Sequence, residues 1–104
     1  MDNSLLMGMG LALGERYPVA EGVGQATNFD RYRLCRAHQA PRLEALIIEN
    51  PDPRATWGVR GMGEMPFIPL APALVAAIHD ATGVWFDQLP LTPERVWQGL
   101  TARP

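Results

Sequence analysis

A mixed α+β architecture is predicted by three features of this 104-residue sequence: apolar positions at helical spacing near both ends, a β-branched run bracketed by prolines, and a long glycine- and proline-rich connection between them. The expected order is an N-terminal helix, one or two strands, a long Gly-rich loop and two C-terminal helices. At 104 residues the chain is expected to be one domain at most, or a piece of a larger one. A chain this short buries only about 60 to 65 % of the surface its unfolded form exposes, so any core it builds alone is modest. Gly 10 and Pro 10 are high together for such a length and imply extended loops.

Each element has a local cause. Asn3 or Ser4 caps a helix running to about Arg16, with Leu5, Met9 and Leu13 on one side beside Leu6 and Ala12. Gly8, Gly10 and Gly14 weaken it by roughly 1 kcal/mol each relative to alanine, so other backbone is expected to pack closely there. Gly22 and Gly24 mark a turn, and Phe29, Tyr32 and Leu34 fall in a short segment read as extended. Leu43–Glu49 is the better strand, because Ile47 and Ile48 are β-branched and Pro41 and Pro51 bracket the run.

Asn50 to Pro66 has neither helical nor strand period. Trp57 and Met62 within it argue for packing over disorder, so a buried, functional loop is expected. Pro69 or Pro72 opens a helix through Ala81, with Leu74, Val75 and Ile78 on its apolar stripe and Gly83 ending it. Thr92-Pro93-Glu94 opens the last helix, which reaches about Leu100. Two strands make a marginal sheet in water, so residues from outside the chain are expected to complete its edge.

Composition removes several functional classes. A net charge of -2 gives no basic field for nucleic acid or anionic lipid. Cys35 is the single cysteine and His38 and His79 the only histidines, so neither an intramolecular disulfide nor a zinc site of Cys/His spacing can be assembled. No metal ligands are assigned, and a reducing, cytoplasmic compartment fits best. The apolar run Leu5–Leu13 follows Asp2, where an export signal carries Lys or Arg, so no export signal is read. Met65–Ile78 contains Pro66, Pro69 and Pro72 and falls short of the roughly 18 to 20 residues of a membrane span, so a soluble chain is expected.

There is no Gly-Lys-Ser/Thr and no nucleophile elbow. Cys35 lies near Arg33 and Arg36, which favour a thiolate nucleophile, although a half-buried strand cysteine is the plainer reading. Arg31, Arg33 and Arg36 suit either an anion or ordinary solvated surface. His79 and Asp80 read as a polar helix edge, and His38 as a loop residue. In Trp57-Gly58-Val59-Arg60-Gly61-Met62-Gly63-Glu64, a carboxylate follows two glycines separated by one residue, with Pro66 just beyond to fix its direction. The run lacks the third glycine of a dinucleotide fingerprint, and a solvated turn glutamate competes with a functional one.

Taken in order, these segments resemble the C-terminal end of the molybdopterin-binding large subunit of the xanthine dehydrogenase and aldehyde oxidase family. Met7-Gly8-Met9-Gly10-Leu11-Ala12-Leu13 resembles its glycine-rich helix, Asn28 to Arg33 its Asn-x-x-x-Tyr segment, and Glu49-Asn50-Pro51-Asp52-Pro53 its loop entry. Gly58 to Glu64 resembles the active-site loop; Ala71 to Leu74 and Asp80 to Gly83 resemble the helix after it, and Leu89 to Val96 closes the series. Ala55-Thr56-Trp57 departs from the family's usual glycine and proline before an aromatic, and Val59 replaces a commonly smaller residue.

The resemblance implies a fragment of the molybdenum-cofactor-binding domain and a reaction that hydroxylates an aldehyde or N-heterocycle with oxygen from water. It places Glu64 at the catalytic base and Gly61, Met62 and Gly63 against the molybdenum–molybdopterin cofactor, which is shared with a partner chain. The remainder of the molybdenum subunit is the implied partner, with iron–sulfur and FAD subunits or domains. Whether the chain is an enzyme depends on that completion; a catalytically inactive remnant or a small protein-interaction module is the alternative.

Overall fold

The computed structural model describes residues 2–102, in which three α-helices, one two-stranded hairpin and three single 3-10 turns are joined by long extended segments. Helix α1 is Asp2–Leu13, α2 is Leu70–Thr82 and α3 is Pro93–Thr101; strands β1 and β2 are Val19–Ala20 and Val23–Gly24. Helix α1 runs from the acidic Asp2, which suits the positive end of the helix dipole, so Ser4 lies inside the helix and does not cap it. It ends short of Arg16, where the N–H groups of Gly14 and Glu15 both turn onto the Gly10 carbonyl at 2.9 and 2.8 Å.

The strands pair antiparallel, Val19 with Gly24 and Ala20 with Val23. Glu21 and Gly22 between them have φ 51° and 77°, the two positive values that a tight hairpin turn with right-handed strand twist requires. The extended reading of Phe29 to Leu34 is corrected: Asn28 instead nucleates a turn, its carbonyl accepting from the N–H of Arg31 and Tyr32 and its side chain from Arg31. Leu43–Glu49 is not part of a sheet either. A strand is defined by its neighbour, and the described residues offer this segment none.

Helix α2 begins after Pro69 and stops at Gly83, whose φ of 68° lets its N–H return to the His79 carbonyl. Helix α3 is capped by Thr92, whose hydroxyl accepts from the Arg95 N–H at 3.3 Å, with Pro93 in the first turn. Glu94 in that turn has its carboxyl held below the usual range by its own backbone N–H and by the Thr92 hydroxyl. Met65–Thr82 is longer than the expected apolar stretch, reaching 18 residues at mean hydropathy 1.2. Its continuous α-helix has only 13 residues, about 20 Å against a bilayer core of about 30 Å.

Helix α1 packs on α2 and on the turn Met65–Phe67 that precedes it. Gly8 makes this possible, since a Cβ there would sit 3.0 Å from Leu70 Cβ and 3.2 Å from the Phe67 carbonyl oxygen. Leu5, Leu6 and Met9 of α1, with Leu70 and Leu74 of α2, frame an apolar groove that Pro41 and Leu43 close. Leu91 reaches the far end of α1, donating its N–H to the Ala12 carbonyl at 2.6 Å, and both residues are buried.

That is nearly all the interior there is. Trp57 is 95 % exposed, Leu46 86 %, Ile48 83 % and Phe29 76 %. The surface is 8447 Å² where a compact monomer of this mass has about 5,800 Å². The radius of gyration is 17.5 Å where about 13 Å is usual for this length.

Two measurements check this packing. Gly8→Ala should lower the thermal midpoint of the helical signal despite alanine's better propensity, because overpacking against rigid backbone costs about 1–3 kcal/mol; Gly14→Ala, which meets nothing within 4 Å, should not. The depressed carboxyl of Glu94 stabilises α3 above its unfolded value and loses that effect as pH falls below the usual glutamate value of about 4.3. Glu94→Gln should therefore reduce α3 protection from amide exchange at neutral pH and leave it unchanged in strong acid.

Candidate functional site

The loop from Asn50 to Glu64 is built in two halves. In the first, the Asp52 N–H donates to the Gly58 carbonyl at 3.1 Å, while the Ala55 and Gly58 N–H groups donate to the Asp52 and Ala55 carbonyls. The Asp52 carboxylate accepts from the Arg54 N–H at 2.9 Å, and this bond with the Arg54 guanidinium holds its carboxyl below the usual range. Trp57 takes φ 56° and Gly58 φ 70°, and a Cβ on Gly58 would meet Pro51 Cβ at 2.6 Å, so the chain doubles back on itself there. Arg60 clasps the base of the loop by donating its Nε to the Asn50 carbonyl.

The second half, Gly61 to Glu64, is open. A Cβ at Gly61 or Gly63 would meet no atom within 4 Å. Among the described residues, the main-chain N–H groups of Gly61, Met62, Gly63 and Glu64 donate no hydrogen bond. The segment is held by one tether: the buried Ser4 hydroxyl of α1 donates to the Gly63 carbonyl. Glu64 then starts the turn Met65–Phe67, its carbonyl accepting from the Phe67 N–H at 2.9 Å, and the chain runs directly into α2.

The expected burial of this loop is corrected, because Val59 to Met65 are all exposed. Trp57 is 95 % exposed and Met62 38 %. Gly61, Met62, Gly63 and Glu64 are each exposed, and the Glu64 carboxylate makes no ion pair or hydrogen bond among the described residues. Unpaired backbone donors on a glycine-lined surface suit a ligand rich in acceptor oxygens, which a molybdopterin is, and so this stretch fits the group.

The remaining candidates are not drawn into this site. Cys35 is half-buried with its thiol directed at the Arg36 carbonyl, 3.8 Å away. Arg31 is spent on the Gln25 carbonyl, and Arg33 and Arg36 are exposed. His79 stacks on Trp85 with centroids 3.9 Å apart, and His38 sits in the turn Ala37–Gln39. Among the described residues no group of three or more His, Cys, Asp or Glu could hold a metal ion.

Two contacts had no sequence signal. Ser4 and Gly63 are separated by 59 positions, and Tyr32 donates its hydroxyl to Glu15 at 2.7 Å, which pushes the phenol's pKa up and folds the Asn28–Arg33 segment back on α1. Loss of the Ser4 tether has a direct readout. Ser4→Ala should release the open half of the loop at a cost of about 1 kcal/mol and speed tryptic cleavage after Arg60; an unchanged rate would show that the tether does not hold the loop.

No family model matches the chain, but individual relatives do. It is 36 % identical over 94 residues to the putative xanthine dehydrogenase molybdenum-binding subunit of Escherichia coli, covering 88 % of this chain and 12 % of the relative. A probable xanthine dehydrogenase subunit from Bacillus subtilis is 30 % identical over 100 residues, covering 96 % of this chain and 13 % of the relative. The solved quinoline 2-oxidoreductase of Pseudomonas putida 86 superposes with a TM-score of 0.87 at 26 % identity, over 99 % of this chain and 14 % of that one. The chain thus spans about an eighth of the relatives it matches. Throughout that span it belongs to the molybdenum-binding subunits of the xanthine dehydrogenase and aldehyde oxidase family.

Proposed function

We propose that residues 1–104 are a partial domain, the C-terminal part of a molybdenum hydroxylase, which supplies the general base Glu64 to a site completed by other polypeptide. The observation that carries this reading is the Glu64 carboxylate standing unpaired on an exposed face, at the end of a loop anchored to α1 and α2. A base serves catalysis when it is fixed in place and its lone pairs are not already engaged. Gly61, Met62 and Gly63 would hold the molybdenum–molybdopterin cofactor through their backbone N–H groups, sharing it with the rest of the large subunit.

The reaction that fits is hydroxylation of an aldehyde or N-heterocycle with water as the oxygen source. The molybdenum cofactor, when bound, would supply the acceptor for the two electrons that the substrate carbon loses, with iron–sulfur and FAD partners as the onward acceptors. The task of this chain is to receive the proton of the activated water on a Glu64 carboxylate oxygen. Pro66 and the turn before α2 keep that oxygen oriented while the transfer occurs.

The test is coexpression of the chain with the missing part of a molybdenum-binding subunit and assay with aldehydes and heterocycles. Turnover is expected in the complex, and Glu64→Gln should lower it by roughly 10²–10⁴-fold with assembly intact. Retained turnover in that variant sinks the base assignment. An assembled, cofactor-loaded complex without turnover favours the inactive remnant.

A further inference from the structure

We infer that Ser4 is the positioning residue for Glu64: its hydroxyl fixes the peptide unit that joins Gly63 to Glu64, and so sets the direction in which the carboxylate leaves the chain. The inference deepens the preceding reading and rests on Glu64 being the base. Gly63 has no Cβ, so its own φ and ψ are freer than those of any other residue type. A Cβ there would meet nothing within 4 Å, so no packing restrains it either. The peptide after this hinge is trans, which points its carbonyl and the Glu64 N–H in opposite directions. The Ser4 hydroxyl donates to that carbonyl at 2.5 Å and holds it toward α1. The Glu64 N–H therefore faces away from α1, and it donates no hydrogen bond among the described residues.

The peptide on the other side of Glu64 is held as well, its carbonyl accepting from the Phe67 N–H at 2.9 Å. With both planes pinned, the Glu64 φ of -112° and ψ of -4° are set, and with them the direction of its Cα–Cβ bond. Of these two bonds, the one from Ser4 is made by a side chain. Ser4 is 6 % exposed in the first turn of α1, where a serine hydroxyl ordinarily bonds its own local backbone. Here it reaches across 59 positions instead. Gly8, one turn further on, packs α1 against the Phe67 carbonyl and Leu70, so the helix that carries the hydroxyl rests on the same turn that donates to the Glu64 carbonyl. A hydrogen bond to a main-chain carbonyl carries no proton of the reaction, and its effect is geometric. Misplacing a reacting group by about 1 Å can cost about a hundredfold in rate. Where that group is engaged only in the transition state, the loss falls on kcat and leaves KM alone.

The test uses the full chain, free and coexpressed with the missing part of a molybdenum-binding subunit. In the free chain, Ser4→Ala should move the carbonyl-carbon NMR resonance of Gly63 upfield as its hydrogen bond is lost. In the cofactor-loaded complex, Ser4→Ala and Ser4→Cys, the second a weak donor of similar shape, should each lower kcat by roughly tenfold to a hundredfold with KM, assembly and molybdenum content unchanged. In a Glu64→Gln background Ser4→Ala should cost nothing further, because its effect passes through the carboxylate already removed. An unmoved Gly63 resonance, or kcat at the parent value in both Ser4 variants, overturns the positioning role and leaves Glu64 as the base. The same fold-loss with and without the Glu64 carboxylate, or failed assembly in both Ser4 variants, assigns Ser4 to packing and overturns the role as well. Turnover retained in Glu64→Gln, or absent from the parent complex, removes the base reading itself and this inference with it.

Discussion

The close approach of α1 to the start of α2 is the contact on which the candidate site depends. Gly8 allows it by presenting bare backbone to Leu70 and the Phe67 carbonyl. Ser4 lies one helical turn earlier on the same face, which is why the hydroxyl that tethers Gly63 arrives where the loop enters the helix pair. The loop end, the turn Met65–Phe67 and α2 are continuous in the chain, so fixing the helices fixes the direction in which Glu64 leaves them. A carboxylate at the entrance to a packed helix pair is placed more firmly than one on a free loop.

This anchoring is achieved with very little interior. Ala12, Ala26 and Leu91 are the buried apolar residues, and no large side chain is fully enclosed among the described residues. Apolar burial is the main favourable term in folding and is opposed by a backbone entropy cost of roughly 1–2 kcal/mol per residue, so long extended segments with exposed side chains add cost without return. The same residues would repay it against a partner surface. Trp57, Leu46, Ile48 and Phe29 are therefore better understood as interface than as misplaced core.

How much of this was legible in the sequence follows from how local each cause is. Helices α2 and α3 are announced within a few residues of their ends, by Pro69 and Gly83 and by Thr92-Pro93-Glu94. The cost of the glycines at 8, 10 and 14 implied close backbone, which holds at Gly8 against the Phe67 carbonyl but not at Gly10, which meets the Glu15 side chain, or at Gly14, which meets nothing within 4 Å. Leu43–Glu49 has strand composition, but pairing is a property of two segments and only one is present. The hairpin Val19–Gly24 was legible only as a turn, since a positive φ at Glu21 has no residue-type signal. The Ser4–Gly63 and Tyr32–Glu15 bonds join distant positions and leave no local pattern. The family resemblance survived because its motifs sit in the loop and helix starts, where residue type is dictated locally.

If Glu64 is the base proposed above, its placement and its activation are separate. Hydration stabilises an ionised carboxylate and makes it a weak proton acceptor; removing water raises its proton affinity. Glu64 is exposed, so on that reading the chain would contribute position through α1, α2 and the Ser4 tether, and polypeptide covering the loop would contribute the dry surroundings. Such a surface would have to be apolar to exclude water, and Met62, Trp57 and Val59 are the exposed apolar residues of the loop it would meet. Burial of those side chains and activation of the proposed base would then be one event, tying chemistry to completed assembly.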